Sequence, residues 1–98
     1  MRNELHNGWA IQFKSNVHMY CHSLKASKGS RSYTIPCENS PKVDGLVLMW
    51  LYELNLDEET CLDLLKGLVM WACASGITYL VYIDPDRYET NENSVRNA

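Results

Sequence analysis

The feature that most constrains this chain is an apolar block over residues 43–83, which carries more hydrophobic surface than one small core obviously needs. Between positions 41 and 54 nine side chains are apolar (Val43, Leu46, Val47, Leu48, Met49, Trp50, Leu51, Tyr52 and Leu54). Placed on a helix, they surround it instead of forming a stripe, and a helix apolar all round must be covered on more than one side. Either the rest of the domain or another protein supplies that cover.

Local signals divide the block into two helices and a strand. Ser40 followed by Pro41 is a helix start, with serine as the N-cap and proline at the first helical position. The first helix is therefore expected over 41–54. Asp57 can cap a second helix, Glu58 and Glu59 suit its positive first turn, and Gly76 suits its end after about Ser75. Asn55 and Leu56 leave only a tight link, so the two helices are expected as an antiparallel hairpin. Along the second, Cys61, Leu64, Leu68 and Trp71 follow one apolar seam, widened by Leu62, Leu65, Val69 and Ala72. Residues 77–83 form a nearly continuous β-rich run, expected of a strand covered on both faces, and the sequence Asp84, Pro85, Asp86 stops it. The segments GLVLMW at 45–50 and GLVMW at 67–71 look alike, but their flanks differ and the match is read as coincidence.

The preceding residues read as strands. WAIQF at 9–13 alternates apolar and polar, as does VHMYC at 17–21, and a three-residue loop between them pairs Phe13 with Val17, Ile11 with Met19 and Trp9 with Cys21. That register leaves Gln12, His18, Tyr20 and His22 on the opposite face. A polar loop over 25–30 leads to a third strand over 32–35, which Pro36 ends or confines to a sheet edge. The fold expected is α+β in the order βββααβ, about four mainly antiparallel strands with the helical hairpin on one face. Residues 1–86 form one domain in this reading, and 87–98, polar and without a period, form a mobile tail.

At 98 residues such a domain can bury about two thirds of its unfolded surface without staples. The four cysteines (Cys21, Cys37, Cys61, Cys73) lack the close pairing of a zinc ribbon or a redox motif, and the first residues contain no continuous apolar h-region. A reducing cytoplasmic setting with free thiols is expected. The longest apolar run, 46–52, falls far short of the roughly 18 residues of a membrane span. Charge divides unevenly: residues 1–42 hold six basic side chains against two acidic, and residues 43–98 hold three against ten. Such asymmetry steers encounters with charged partners.

Candidate chemistry is sparse. His18, Cys21 and His22 suggest a metal, but on a strand the two histidines point away from the cysteine and no carboxylate orients them. A metal-dependent enzyme at the His18/His22 face is the second alternative, and no metal or cofactor is assigned. Lys25, Lys28 and Arg31, with His18, Tyr20 and His22 near by, combine phosphate-neutralising charge with stackable rings, so a nucleic-acid-binding module is the first alternative. No nucleophile signature or carboxylate pair marks a catalytic site. What remains is the helical hairpin. Met49, Trp50 and Tyr52 are residue types enriched at interface hot spots and, with Glu53 beside them, are expected to bind another protein. A second copy, paired through the helices, is the simplest such partner. The expected function is that of a small non-enzymatic inhibitor or adaptor, acting by surface occlusion through apolar helices and an acidic half. Phages and other mobile elements encode compact proteins of this kind against host defence and other machinery.

Overall fold

The structure, a computed structural model, describes residues 4–18 and 21–92, and of 16–18 the backbone alone. Seven strands form one mixed sheet: β1 (Ala10–His18), β2 (Cys21–Lys28), β3 (Arg31–Thr34), β4 (Cys37–Asn39), β5 (Leu46–Trp50), β6 (Thr78–Asp84) and β7 (Arg87–Thr90). Among the described residues a single α-helix, α1 (Glu58–Ala74), packs on one face, preceded by a 3-10 turn (Leu51–Leu54). The strand order is β1-β2-β4-β5-β6-β7, with β3 lying beside β2 on the same side as β4. All pairs are antiparallel except β5 with β6, whose parallel pairing follows from the crossover through α1.

Helix α1 forms where its local signals place it. The Asp57 carboxylate accepts the Thr60 N–H at 3.1 Å, and the chain leaves the helix through Ser75 and Gly76, whose φ of +70° favours glycine. The Thr60 hydrogen bonds hold the Asp57 carboxyl below the usual carboxylate range. Leu64, Leu68 and Ala72 are fully buried against Leu24, Met49 and Val81 of the sheet. Each aliphatic side chain so covered stabilises the fold by roughly 1.5–3 kcal/mol relative to exposure.

The first expected helix does not exist, and with it goes the helical hairpin as well as the four-stranded sheet. Residues 46–50 are instead a central strand between β4 and β6. Val47 and Met49 pack toward α1 while Leu46, Leu48 and Trp50 point the other way, so an apolar run without alternation reflects two strand faces, not one helix surface. The Ser40 signal was real but local: its Oγ accepts the N–H groups of Lys42 and Val43, closing a turn. Gly45, at φ +81°, then returns the chain into β5.

The hairpin register also differs from expectation. Strand β1 continues to His18, and Phe13 pairs with Leu24 and Ile11 with Ala26, not with Val17 and Met19. This register sets Leu24 and Ala26, both fully buried, beside the core set of β1. The stretch expected as a loop over 25–30 is mostly strand, turning only at Gly29 and Ser30. Ile35 and Pro36 separate β3 from β4 as the proline requires, and the Pro36 carbonyl still accepts the Trp50 N–H at 3.0 Å. The expected tail begins too early: Arg87–Thr90 is strand β7, entered through a turn in which Asp84 Oδ1 accepts the Asp86 and Arg87 N–H groups. The remainder of that tail, residues 93–98, lies outside the described residues.

Before β1, Asn7 and Gly8, at φ +54° and +82°, make a two-residue turn between His6 and Trp9, a conformation that the Asn-Gly pair suits. The turn rests on Gly67 of α1, where an added Cβ would lie 2.8 Å from both the His6 carbonyl oxygen and Trp9 Cδ1. Gly67→Ala is expected to lower stability by up to about 2 kcal/mol, because overpacking costs about 1–3 kcal/mol against the roughly 1 kcal/mol gained in helix propensity. Chemical denaturation checks this, and a variant more stable than the native chain would refute the close packing.

Candidate functional site: the uncovered sheet face

Among the described residues one sheet face bears no helix, and alternation along the strands gives the two halves of that face different chemistry. On β1 and β2 it presents Gln12, Lys14, Ser23 and Lys25, all exposed. On β5 to β7 it presents Leu46, Leu48, Trp50, Leu80, Tyr82 and Tyr88. Cross-strand register aligns three of these, since Trp50 pairs with Tyr82 and Tyr82 with Tyr88. The Trp50 and Tyr82 rings stack at 6.1 Å between centroids and 14° between planes, and the Tyr82 and Tyr88 rings meet edge-on at 6.2 Å. Leu46 and Leu80 are buried, Leu48, Trp50 and Tyr82 are half-buried, and Tyr88 is 46% exposed. Three aromatic rings in a row on a sheet face without a helix make a large amphipathic contact surface held rigid by the strands beneath.

Charge beside the row is of one sign. Glu38 pairs across from Leu48, and Glu53 extends from the 3-10 turn three residues after Trp50. Trp50, Glu38, Glu53 and Pro36 line a shallow hollow of about 480 Å³. Among the described residues neither carboxylate is in a salt bridge. Arg87, the one cation within β4 to β7, bonds to Asp84 and lines a separate hollow with Cys61 and Leu62 of α1. Two cysteines border the Trp50 hollow. Burial, foremost, pushes the Cys37 thiol up to about 11, so it stays protonated at neutral pH, while the exposed Cys21 Sγ lies 4.0 Å from Glu38 Oε2.

Of the four residues expected to bind a partner, the structure brings Trp50 and Glu53 together at this hollow. Met49 is fully buried against α1 and reaches no partner, and Tyr52 is half-buried in the 3-10 turn. Glu38, Tyr82 and Tyr88 were missed. Tyr82 lay in a strand read as core and Tyr88 in a stretch read as tail.

The residues of the nucleic-acid alternative are divided between the two sides of the sheet. Lys25 is on the uncovered face, whereas Lys28 and Arg31 lie over the Trp9 ring, 5.5 and 5.7 Å from its centroid, on the side of α1. Lys28 Nζ also donates to Asp63 Oδ2 at 2.6 Å and to the Asn7 carbonyl, and Asp63 accepts from Trp9 Nε1 and Asn7 Nδ2 as well. The Lys28 hydrogen bond, first among these, holds the Asp63 carboxyl below its usual range. His22 is buried on the same side, with Nε2 2.9 Å from Asn39 Oδ1 and its ring 5.1 Å from that of Phe13. It therefore faces away from Lys25, contrary to the expected register. Tyr20 and the side chain of His18 lie outside the described residues. Among the described residues no three His, Cys, Asp or Glu side chains are placed to hold a metal ion, and no helix is long and apolar enough to cross a membrane.

Comparison with protein-family models, with curated proteins and with solved structures finds no match to this chain.

Proposed function

We propose that this chain is a non-enzymatic binding module that docks on another protein through the aromatic half of the sheet face opposite α1. The observation that carries the reading is the row Trp50, Tyr82 and Tyr88, aligned by register on a face that bears no helix among the described residues. Tryptophan and tyrosine supply large contact area at low ordering cost, and such residues carry most of the energy at interfaces. Because the strands fix the row, the module binds with little rearrangement and acts by covering a surface of its partner. That mode suits an inhibitor or adaptor of the kind that phages and mobile elements direct against host machinery. Bases could also stack on the row, but phosphate binding needs cations, and on β4 to β7 this face carries Glu38 and no positive side chain.

The test compares the native chain with Trp50→Ala and Tyr88→Ala in affinity capture from the cells that express it, followed by hydroxyl-radical footprinting of the purified complex. The expected result is a protein retained by the native chain, with Trp50, Tyr82 and Tyr88 protected, and Trp50→Ala weakening the complex about 30-fold or more, the scale of a hot-spot residue. Protection confined to α1, or a captured nucleic acid released by salt, would overturn it.

A further inference from the structure

We propose that the partner meets this face with a lysine or arginine flanked by apolar side chains, its cation seated against Trp50 between Glu38 and Glu53. The inference rests on the reading of the aromatic row as a protein-binding surface and specifies the chemistry of what occupies it. Charge complementarity is the first argument. The row is bordered by two carboxylates, and among the described residues no cation is in a salt bridge to either. The Cys21 thiol lies 4.0 Å from Glu38 Oε2, so an approaching positive side chain gains attraction without displacing an internal cation. Both glutamates line the same hollow as the indole, so a cation seated there enters a site of one charge sign beside an aromatic ring, with Tyr82 and Tyr88 continuing the row for its apolar neighbours.

The molecule already contains this arrangement within its own fold. Trp9 has Lys28 and Arg31 over its ring, and the Lys28 ammonium is held by the Asp63 carboxylate. Among the described residues Trp50 has no cation over its ring, while carboxylates line the hollow beside it. The hollow is shallow and open to water, so the cation keeps part of its hydration and escapes the cost of full burial. The same charge disfavours the other occupants. Two copies stacked aromatic row on aromatic row would bring their acidic rims together, and a nucleic acid would set phosphates against Glu38 and Glu53.

The probes are three peptides titrated into the full chain: acetyl-Leu-Arg-Leu-Arg-Leu-amide, the same peptide with citrulline for arginine, and the same with glutamate. Binding is followed by NMR through the Trp50 indole N–H and the Tyr82 and Tyr88 ring resonances. The arginine peptide is expected to bind at least tenfold more tightly than the citrulline peptide, to weaken with added salt, and to exceed the glutamate peptide by more still. In Glu38→Gln/Glu53→Gln the arginine peptide falls to the level of the citrulline peptide, whose own affinity is unchanged. Both substitutions are at positions with polar side chains on the surface, and an unchanged amide spectrum elsewhere establishes that the variant is folded. Equal affinity for the arginine and citrulline peptides overturns the cation inference but leaves the aromatic surface standing. No perturbation of the three rings by any peptide up to millimolar concentration overturns both.

Discussion

Met49→Ala is expected to lower the unfolding free energy by about 2–5 kcal/mol, the range for removing a fully buried methionine from a core that relaxes only in part. Its neighbour Trp50, although larger, is expected to cost less on the same truncation, about 1 kcal/mol for the lost stack on Tyr82 and a further share for the part of the indole that is covered. The reason is geometric. Met49 belongs to the core cluster that includes Leu64 and Leu68 of α1 and has no exposed surface, while Trp50 is directed to the opposite side of the sheet. A strand places adjacent side chains on opposite faces, so the larger residue can be the cheaper one to remove. Urea denaturation followed by far-ultraviolet circular dichroism measures both. Equal losses, or a greater loss at Trp50, would mean that the uncovered face contributes to stability as the core does and would remove the ground for a binding surface there.

Trp9→Ala is expected to cost about 3–5 kcal/mol. Trp9 is fully buried at the point where the first turn of the described chain, the β2 to β3 hairpin and α1 converge. Its ring packs against Gly67 and lies 5.9 Å from that of Tyr33, and its indole N–H donates to Asp63 Oδ2 at 3.1 Å. Truncation leaves a cavity and withdraws one donor from a carboxylate that Lys28 and Asn7 also serve. Trp9→Phe separates the two contributions. It keeps most of the ring and loses only the donor, and is expected to cost about 1 kcal/mol through the hydrogen bond, with a further share for the smaller ring. A Trp9→Phe loss as large as that of Trp9→Ala would place the energy in the polar cluster, not in packing.

The parts of the fold legible in the sequence were those whose cause is local. The Asp57 cap, the acidic first turn and Gly76 specify α1 with no reference to the rest of the chain, and Cys61, Leu64, Leu68 and Trp71 are the seam it buries. The alternation of Trp9, Ile11 and Phe13 placed these three on the core side. Residues 46–54 were not legible in this way. Apolar on every side, they satisfied the description of a doubly covered helix as well as that of a central strand. The seven-residue run bounded by Gly45 was the available sign of a strand. The hairpin register failed for a related reason. Alternating patterns at 9–13 and 17–21 permitted a short loop between them, but Leu24 and Ala26 had also to be buried, and only the longer β1 gives them partners.

The candidate site follows the same division. Trp50 and Glu53 were singled out as residue types suited to an interface, but Glu38, Tyr82 and Tyr88 join them only because β4, β5, β6 and β7 lie side by side. By itself the sequence determined where α1 starts and stops, which side of the first strand enters the core, and that the 43–83 block exceeds what one surface can cover. The tertiary structure decided that the excess is a sheet face with three aligned rings and that Lys25 is parted from Lys28 and Arg31. The physical reason is that periodicity records which side of an element meets water. Where both sides are apolar the record is blank, and pairing with neighbouring strands, a non-local event, chooses the element and the face.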